Sequence, residues 1–352
     1  MADRRAFLAG LLASTLWPQH TWADAGAPAF LSAGKGPDGT YVLCGLSAAG
    51  EMTFHLPLPA RGHAAAAHPK LAQAVAFARR PGRFAIVLDC VTGLEQARLI
   101  PPEGRHFYGH GTFSADGAWL FTTENDYDAA RGIIGVWDTT RGYRREGEIS
   151  SGGIGPHDMK LMPDGETLVV ANGGIETHPE TGRAKLNIPS MRPNLSYLSS
   201  TGEHKGVLEL PEDHRKNSIR HLAMSDSGTV AFAMQWQGDL YEDLPLLGIH
   251  DAKTGDLSLM DEASVRRMNG YLGSVAITPD GAQVAATSPR SGRLQVFAQG
   301  ELVREKTMVD VCGVAATRDG FVSTAGTGHV VSEYGTPTQH PIAWDNHLIP
   351  LG

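Results

Sequence analysis

The feature that most constrains this chain is a tight turn that recurs along it, each time after a short apolar segment. The turns read Asp-Gly, or once Ser-Gly, and their glycines are Gly117, Gly165, Gly228, Gly281 and Gly320. Successive glycines are 48, 63, 53 and 39 residues apart. Repeats of about 40–50 residues built from short strands are typical of β-propeller blades, and the longer steps indicate insertions.

This spacing predicts an all-β fold, a seven-bladed β-propeller with four-stranded blades. Six of the blades are predicted to begin near Gly62, His110, Gly155, Ser218, Leu272 and Val311. The remaining segment, residues 30–58, has apolar patterns for only three strands. We expect residues 344–351 to supply its innermost strand, so that the closing blade is shared by N-terminal and C-terminal segments and leaves no free edge. Six blades is the alternative count.

Residues 1–25 are predicted to be a signal peptide, and residues 26–352 a single propeller domain. Arg4-Arg5 form a twin-arginine pattern, which is followed by the short apolar run Ala6–Trp17 and by small residues at Ala23 and Ala25. The run is shorter than the roughly 20 apolar residues that span a bilayer, so we expect no membrane span in the mature chain. The twin-arginine route exports folded proteins, and the pattern therefore predicts a periplasmic location.

Composition excludes several classes of protein. The net charge of −8 and the pI near 6.0, without a basic stripe, argue against nucleic-acid binding. Three cysteines cannot form a disulfide framework, so the fold depends on its apolar core. Asn172-Gly173-Gly174 follows a predicted strand but opens no helix, which excludes a phosphate-binding loop of the Rossmann or P-loop type. We expect a monomer.

Five histidines occur at nearly the same place in the predicted blades, at the start of the innermost strand. They are His63, His110, His157, His221 and His347. Innermost strands line the central channel of a propeller, so these side chains should meet at one mouth of the channel. Imidazole is the commonest transition-metal ligand, and such a ring could hold iron or copper. A ring that binds an anion or transfers protons, and a purely structural polar ring, are the alternatives.

Other polar residues follow innermost or second strands and are predicted to lie near the same mouth. These candidates are Arg61, Glu124, Asn125, Asn172, His178, Arg183, Arg220, Arg290 and Cys312. Their side chains offer oxygen ligands and positive charge, and the loop that follows Asn172 is expected to cover the histidines. Cys312 begins an innermost strand, and it is either a soft ligand or redox thiol or a buried structural thiol.

Several blocks of the sequence are specific enough to indicate a family. They include GHGTFSADGAWLFTTENDYDAARGIIGVWD, GIGPHDMKLMPDGETLVVANGG, NSIRHLAM and DVCGVA, and together with similar blocks they extend over nearly the whole mature chain. The chain resembles a bacterial domain-of-unknown-function family, number 1513. This resemblance implies a twin-arginine-exported periplasmic propeller of the quinoprotein-like and lactonase-like superfamily. Genes of such proteins often lie near genes for imelysin-like iron-uptake lipoproteins and dihaem peroxidase-like proteins, which implies periplasmic iron-uptake or haem proteins as partners.

Three functions are compatible with these observations. In the first, the five histidines bind iron or copper, or a metal-containing partner, in periplasmic iron acquisition or handling. In the second, a lactonase-like hydrolase uses His157 as base, Arg220 as the cation that stabilises the oxyanion, and Glu124 as acid. In the third, the propeller is a scaffold for protein interactions and binds no ligand in its channel. We expect a binding role rather than catalysis.

Overall fold

The computed structural model describes residues 20–79, 83–182, 184–242, 244–260 and 265–351. Within these residues it confirms the predicted seven-bladed β-propeller, with seven antiparallel sheets arranged in chain order. Helical structure among the described residues consists of Val265, which is α-helical, and of short 3-10 helices at Thr139–Arg141, Pro179–Thr181, Ile188–Ser190, Glu212–His214 and Arg266–Met268.

The strands of the first four blades follow one another without crossovers. Blade 1 contains β1 (Phe30–Lys35), β2 (Tyr41–Leu46) and β3 (Met52–Leu58). Blade 2 contains β4 (Gly62–Ala67), β5 (Gln73–Ala78), β6 (Ala85–Asp89) and β7 (Glu95–Leu99). Blade 3 contains β8 (Arg105–Phe113), β9 (Trp119–Asp126), β10 (Arg131–Asp138) and β11 (Arg144–Ser150). Blade 4 contains β12 (Pro156–Leu161), β13 (Thr167–Asn172), β14 (Asn194–Ser199) and β15 (His204–Glu209).

The remaining blades repeat the same order, and two short strands follow them. Blade 5 contains β16 (Asn217–Met224), β17 (Thr229–Trp236), β18 (Leu247–Asp251) and β19 (Leu257–Leu259). Blade 6 contains β20 (Ser274–Ile277), β21 (Gln283–Ser288), β22 (Arg293–Ala298) and β23 (Glu301–Thr307). Blade 7 contains β24 (Val311–Thr317), β25 (Gly320–Ala325), β26 (His329–Ser332) and β27 (Thr338–Gln339). The two short strands are β28 (Ala343–Trp344) and β29 (Ile349–Pro350).

Closure of the propeller takes place in blade 1, as the sequence predicts. Both β28 and β29 pair antiparallel with β1, with Trp344 opposite Gly34 and Pro350 opposite Phe30. They occupy the innermost position of the sheet that β1, β2 and β3 begin. Because the pairing uses the backbone groups of the inner edge of β1, it removes the edge that would otherwise be open to other chains.

The Asp-Gly turns connect the first and second strands of the blades and define one face of the propeller, called here the turn face. In blade 3, Asp116 Oδ1 accepts hydrogen bonds from Ser114 Oγ at 2.6 Å and from the Ala118 amide at 3.0 Å. Gly117 follows with φ of +82°, a conformation that glycine adopts without a steric cost. The innermost strands begin on the opposite face, called here the loop face.

Five innermost strands contain a β-bulge close to the loop face. Their pairing with the second strand shifts register in β4, β8, β12, β16 and β24. In β12 the shift lies between Pro156 and Asp158, so that His157 is the additional residue. A bulge bends its strand and redirects side chains away from the usual alternation. It therefore allows a residue at this level to point along the channel axis.

Apolar side chains fill the space between neighbouring blades. Phe77 and Phe107, from blades 2 and 3, pack with their ring centroids 6.2 Å apart, and both are fully buried. Phe232 in blade 5 and Phe297 in blade 6 are buried in the same way. This core depends on packing between blades, so each blade is supported by both of its neighbours.

The predicted signal peptide is only partly described. Residues 1–19, which carry the twin-arginine pattern, lie outside the described residues. Residues 20–25 contact blade 2: Trp22 Nε1 donates a hydrogen bond to the His68 carbonyl at 2.9 Å, and Ala25 is buried. Along the described ranges, no helix combines the length and apolar character that crossing a membrane would require.

Candidate functional site

The structure brings the five predicted histidines together on the propeller axis. His63, His110, His157 and His221 come from the bulged parts of β4, β8, β12 and β16, and His347 comes from the segment between β28 and β29. Centroids of the contacting imidazole rings are 4.6–6.0 Å apart. The group of these five side chains is called here the histidine ring.

His110 is the central member of the histidine ring. Its Nε2 lies 3.3 Å from Nε2 of His63. Two sets of three side chains place their possible ligand atoms within 4.8 Å of one another, and His110 belongs to both sets. One set adds His63 and His347, and the other adds His157 and His221. The ring thus offers two overlapping groups of nitrogens to a single ion.

Asp158 supports His110 from behind. Its Oδ1 lies 3.1 Å from His110 Nδ1 and accepts a hydrogen bond from the Met159 amide, while Oδ2 accepts one from the Leu222 amide. Burial alone would raise the pKa of this carboxyl, but the neighbouring Lys160 and His110 hold the pKa well below its usual range. The carboxylate therefore accepts a hydrogen bond from His110 Nδ1–H, and this leaves the Nε2 lone pair directed at the ring.

The other ring members are held in the neutral form. Burial, followed by the charges of neighbouring histidines, lowers the pKa of His63, His157 and His347 well below the usual value. The same burial lowers the pKa of His221 to about 3. Neutral imidazole is the form that binds metal ions, so no proton has to be displaced at neutral pH before these side chains act as ligands.

One nitrogen on each of these four side chains has no hydrogen-bond partner among the described residues. The atoms are His63 Nδ1, His157 Nδ1, His221 Nδ1 and His347 Nε2. Buried polar atoms are normally paired, because leaving one unpaired costs about 1–3 kcal/mol. These four nitrogens are therefore available to a water molecule, an ion or another ligand.

A cavity of about 580 Å³ lies between the histidine ring and the turn face. His110, His221 and His347 line its inner end, and Asp226 and Arg318 line it at the level of the turns. The three histidines at the inner end are between 3% and 6% exposed, so they close the cavity on that side. The described route to the ring therefore starts at the turn face, whereas the loop that follows Asn172, which the sequence predicts to cover the histidines, lies on the loop face.

Several candidates from the loop face form contacts around the ring without joining it. Arg61 Nε and Arg79 Nη1 both bind the buried Asp345, at 2.7 and 2.8 Å. Arg220 is the additional residue of the bulge in β16, next to His221, and its charge contributes to the low pKa of His157. Arg290 stacks on Tyr271, with its guanidinium carbon 4.2 Å from the ring centroid.

The loop that follows Asn172 packs against blade 3. Asn125 Nδ2 donates to the Thr177 carbonyl at 3.1 Å, and His178 Nε2 lies 3.4 Å from Asp128 Oδ1. These contacts place Asn125 and His178 on the loop face, where they order the loop. Arg183, predicted for the same loop, lies outside the described residues.

Two other candidates, Glu124 and Asn172, have structural contacts inside the blades. Glu124 is fully buried, and both of its oxygens bind the guanidinium of Arg145 from the outermost strand β11, at 2.6 and 3.0 Å. Asn172 donates to the Ser151 carbonyl and to Asn194 Oδ1, both at 2.9 Å, and so ties adjacent segments together. These pairings leave Glu124 engaged with Arg145 and do not place it beside His157.

Cys312 is a buried thiol with main-chain partners. Its Sγ lies 3.4 Å from the Trp344 carbonyl and 3.5 Å from the Thr324 carbonyl. Burial raises its pKa to about 12, and burial does the same for Cys44 and Cys90. A thiol with so high a pKa is rarely a thiolate at neutral pH, which argues for the structural one of the two alternatives.

Asp158, Lys160 and the cavity are not among the features predicted from the sequence. Asp158 and Lys160 follow His157 in the strand PHDMKL, and both line the cavity. Their two-residue spacing on a strand was a usable signal, because it places two opposite charges on one face just beyond a channel histidine. The cavity itself depends on the distance between blades, which has no counterpart in the sequence.

Comparison with known proteins places these features in a family. The solved structure of Kuenenia stuttgartiensis hydrazine synthase is similar, with a TM-score of 0.63 and 14% identity over 89% of this chain and 96% of that chain. At this identity the likeness shows the fold alone. No curated protein matches the sequence. The family model described as "Protein of unknown function (DUF1513)" matches residues 56–351, and the chain belongs to that family.

Proposed function

We propose that the histidine ring binds one transition-metal ion, iron or copper, and that the protein acts in metal handling. The observation that carries this proposal is the arrangement of Asp158, His110 and His63. Asp158 holds His110 through Nδ1, and His110 Nε2 faces a second imidazole nitrogen 3.3 Å away. A carboxylate behind a metal-binding histidine is the usual way in which proteins fix its tautomer and orientation.

The distances support a shared ion. Metal–nitrogen bonds of about 2.0–2.1 Å in a tetrahedral site separate two ligand atoms by about 3.3–3.4 Å. His63 and His110 already meet this requirement, with 3.3 Å between their Nε2 atoms. The remaining members of the two sets, whose ligand atoms lie within 4.8 Å, would have to move inwards by about 1 Å at most. Rotation of the imidazole rings about their side-chain bonds is sufficient for such a shift.

The ligand atoms of the ring favour a metal that binds neutral nitrogen. Asp158 is the one carboxylate in contact with the ring among the described residues, and Lys160 and Arg220 bring positive charge nearby. Calcium and magnesium require several oxygen ligands, which the ring does not offer. Imidazole suits iron and copper, and zinc is the further metal of this class.

Metal analysis of the protein isolated from its native host tests the proposal. The wild-type protein is expected to contain close to one equivalent of iron or copper. The double variant His110→Ala/His157→Ala should lose it, because the first substitution affects both sets of nitrogens. His204→Ala removes an exposed histidine on β15 and serves as the matched control. A native protein that carries no transition metal would overturn the proposal and leave an interaction scaffold as the function.

We propose further that the protein acts in the periplasm and handles iron together with periplasmic iron-uptake or haem proteins. This part rests on the twin-arginine pattern at Arg4-Arg5 and on the family resemblance. Replacing both arginines by lysine should keep the protein in the cytoplasmic fraction of its native host, while the wild type is recovered from the periplasm. If the wild type and the lysine variant were divided in the same way between the cytoplasmic and periplasmic fractions, export by this route would be contradicted.

A further inference from the structure

The cavity below the histidine ring has the size and shape of a small-molecule site. Its volume of about 580 Å³ is within the range of about 300–1,000 Å³ that is usual for ligand pockets. The histidine ring closes its inner end, because His110, His221 and His347 are buried. A ligand can therefore enter from the turn face and stop at the ring.

The side walls of the cavity are apolar and have small side chains. Blade 2 contributes three consecutive alanines of β4, Ala65–Ala67, and blade 5 contributes Ala223. Ile277 in blade 6 and Leu348 beside β29 complete the apolar lining. These walls can cover a hydrocarbon chain. Thr112 and Ser274 add two hydroxyl groups to the lining, and Ser274 Oγ already accepts a hydrogen bond from the Val314 amide.

The inner end of the cavity is polar, and it carries donors that the protein leaves unused. Lys160 Nζ is 3.5 Å from Asp158 Oδ1, and Lys160 makes no hydrogen bond to any described residue. Asp158 is already satisfied by two main-chain amides and His110. His221 Nδ1 and His347 Nε2, on two buried side chains that line this end, also have no partner among the described residues.

We propose that this cavity binds a small organic acid with an aliphatic chain. The carboxylate lies at the inner end, where it accepts hydrogen bonds from the Lys160 ammonium and from a ring histidine. The aliphatic part lies along the alanine walls and points to the turn face. The inference goes beyond the proposed metal site and does not depend on it, because Lys160 and the walls are present whether or not the ring holds an ion.

The test uses the full chain after removal of metal with a chelator, and linear carboxylates from acetate to hexanoate as probes. Calorimetric titration should show an affinity that rises about fourfold per added CH₂ group, because each buried methylene contributes about 0.8 kcal/mol. Hexanamide, which has the same length but no charge, should bind at least about tenfold more weakly than hexanoate.

Two variants separate the polar end from the walls. Lys160→Met should lower the affinity for hexanoate by about tenfold or more, while the affinity still increases with chain length. The control is Lys306→Met on the exposed outer strand β23, which should leave both the affinity and its increase with chain length unchanged. Ala223→Phe fills the cavity and should abolish binding. Ala316→Phe, on the wall formed by blade 7, is an independent test if the first variant is unstable. Thermal unfolding identifies an unstable variant.

The outcomes distinguish this inference from the metal proposal. Binding of the acids by the chelator-treated protein supports the cavity site and has no bearing on the metal proposal. If protein isolated from the native host also carries no transition metal, the metal proposal alone is overturned. Metal in the ring together with no binding of any carboxylate, in the stripped or the loaded protein, overturns the cavity site alone. Hexanoate affinity that is the same in the wild type, Lys160→Met and a folded cavity-filling variant also overturns it.

Discussion

Asp158 connects the histidine ring to the backbone of two blades. It accepts main-chain hydrogen bonds from Met159 in its own blade and from Leu222 in the next one, and it contacts His110 in the blade before. A single carboxylate thus sets the relative position of three blades at the level of the ring. Its removal should affect both the ligand properties of His110 and the packing of the propeller.

We predict that Asp158→Asn lowers the affinity for the bound metal by about 10–100-fold, the usual cost of losing a carboxylate behind a ligating histidine. The amide keeps the shape of the side chain but can no longer fix Nδ1 of His110 in the protonated form. Titration with the metal found in the native protein measures the effect. Asp213→Asn, at an exposed acid in a surface 3-10 helix, is the control. Equal affinities for both variants would show that Asp158 has no part in binding.

The low pKa values of the ring histidines predict an acid-sensitive metal-free protein. A histidine in the unfolded chain has a pKa of about 6.5, and burial lowers the pKa of His221 to about 3 in the fold. The unfolded state therefore takes up protons first as the pH falls, and stability that is fully present above pH 6.5 is lost below it. Each such histidine contributes up to about 1.4 kcal/mol per pH unit.

Urea unfolding of the metal-free protein between pH 7.5 and pH 4.5 checks this expectation. Asp158 keeps its negative charge across this range, because its neighbours hold its pKa well below the usual value, and the other charged neighbours of the ring are Lys160, Arg79 and Arg220. The variant His221→Gln should show a shallower loss of stability than the wild type. A stability that stays constant down to pH 4.5 would contradict neutral, buried histidines.

At the scale of elements, the glycine turns and the bulges have different effects on the fold. The turns fix where each blade changes direction, and the bulges redirect the first strand at the level of the ring. Gly117 and Gly142 lie in the same blade and both have positive φ, +82° and +70°. A Cβ atom at Gly117 would lie 2.3 Å from His68 Nε2, whereas at Gly142 it would have no atom within 4 Å.

This pair of glycines allows backbone strain to be separated from crowding. Gly142→Ala should lower the free energy of unfolding by about 1–2 kcal/mol, because a residue with a Cβ atom is strained in the left-handed conformation. Gly117→Ala should cost more, because the imidazole of His68 is held by the amides of Lys70 and Leu71 and cannot move away freely. Denaturant unfolding of both variants measures the difference. If Gly117→Ala lowers the free energy of unfolding no more than Gly142→Ala does, His68 in blade 2 can move away from the new methyl group.

Most of the fold could be predicted from the sequence, because most blades contain a turn or an apolar segment that can be recognised locally. The Asp-Gly turns, the missing strand of residues 30–58 and the apolar segment near Trp344 were sufficient for seven blades and their closure. The bulges left almost no mark, since an additional residue in a strand has no characteristic composition. The spacing between histidine and turn glycine, eight residues at His157 and seven at His110 and His221, does not reveal the bulges, because all three strands contain one.

The candidate site could be predicted only in part. The common position of five histidines at strand starts located the ring, because inner strands always face the axis. Glu124 and Asn172 looked equivalent to loop residues, yet their side chains pair within the sheets with Arg145 and Ser151. At the end of a second strand, one residue of register decides between the loop face and the blade interior. Such register is set by bulges and packing that the pattern of residues does not contain.

At the scale of the whole molecule, stability depends on the pairing of β1 with β28 and β29. We predict that a chain ending at Trp344 loses several kcal/mol of stability, because β29 and the contacts of His347 are absent. The exposed edge of β1 should also promote association. His347→Ala in the full chain is the control that removes only the imidazole. Thermal unfolding and light scattering measure both effects, and an unchanged midpoint for the shortened chain would contradict closure by these strands.

The closing strands also determine when the ring can form. Ser32 Oγ in β1 donates a hydrogen bond to the carbonyl of His347, which is synthesised 315 residues later, at a distance of 2.8 Å. During translation the sheet of blade 1 cannot be completed before this C-terminal segment has been synthesised. Until then the chain contains at most four of the five ring histidines. The complete histidine ring can therefore form only after His347 has been synthesised. Any ion or organic acid that needs all five side chains is acquired after translation, by a protein whose blades have already assembled.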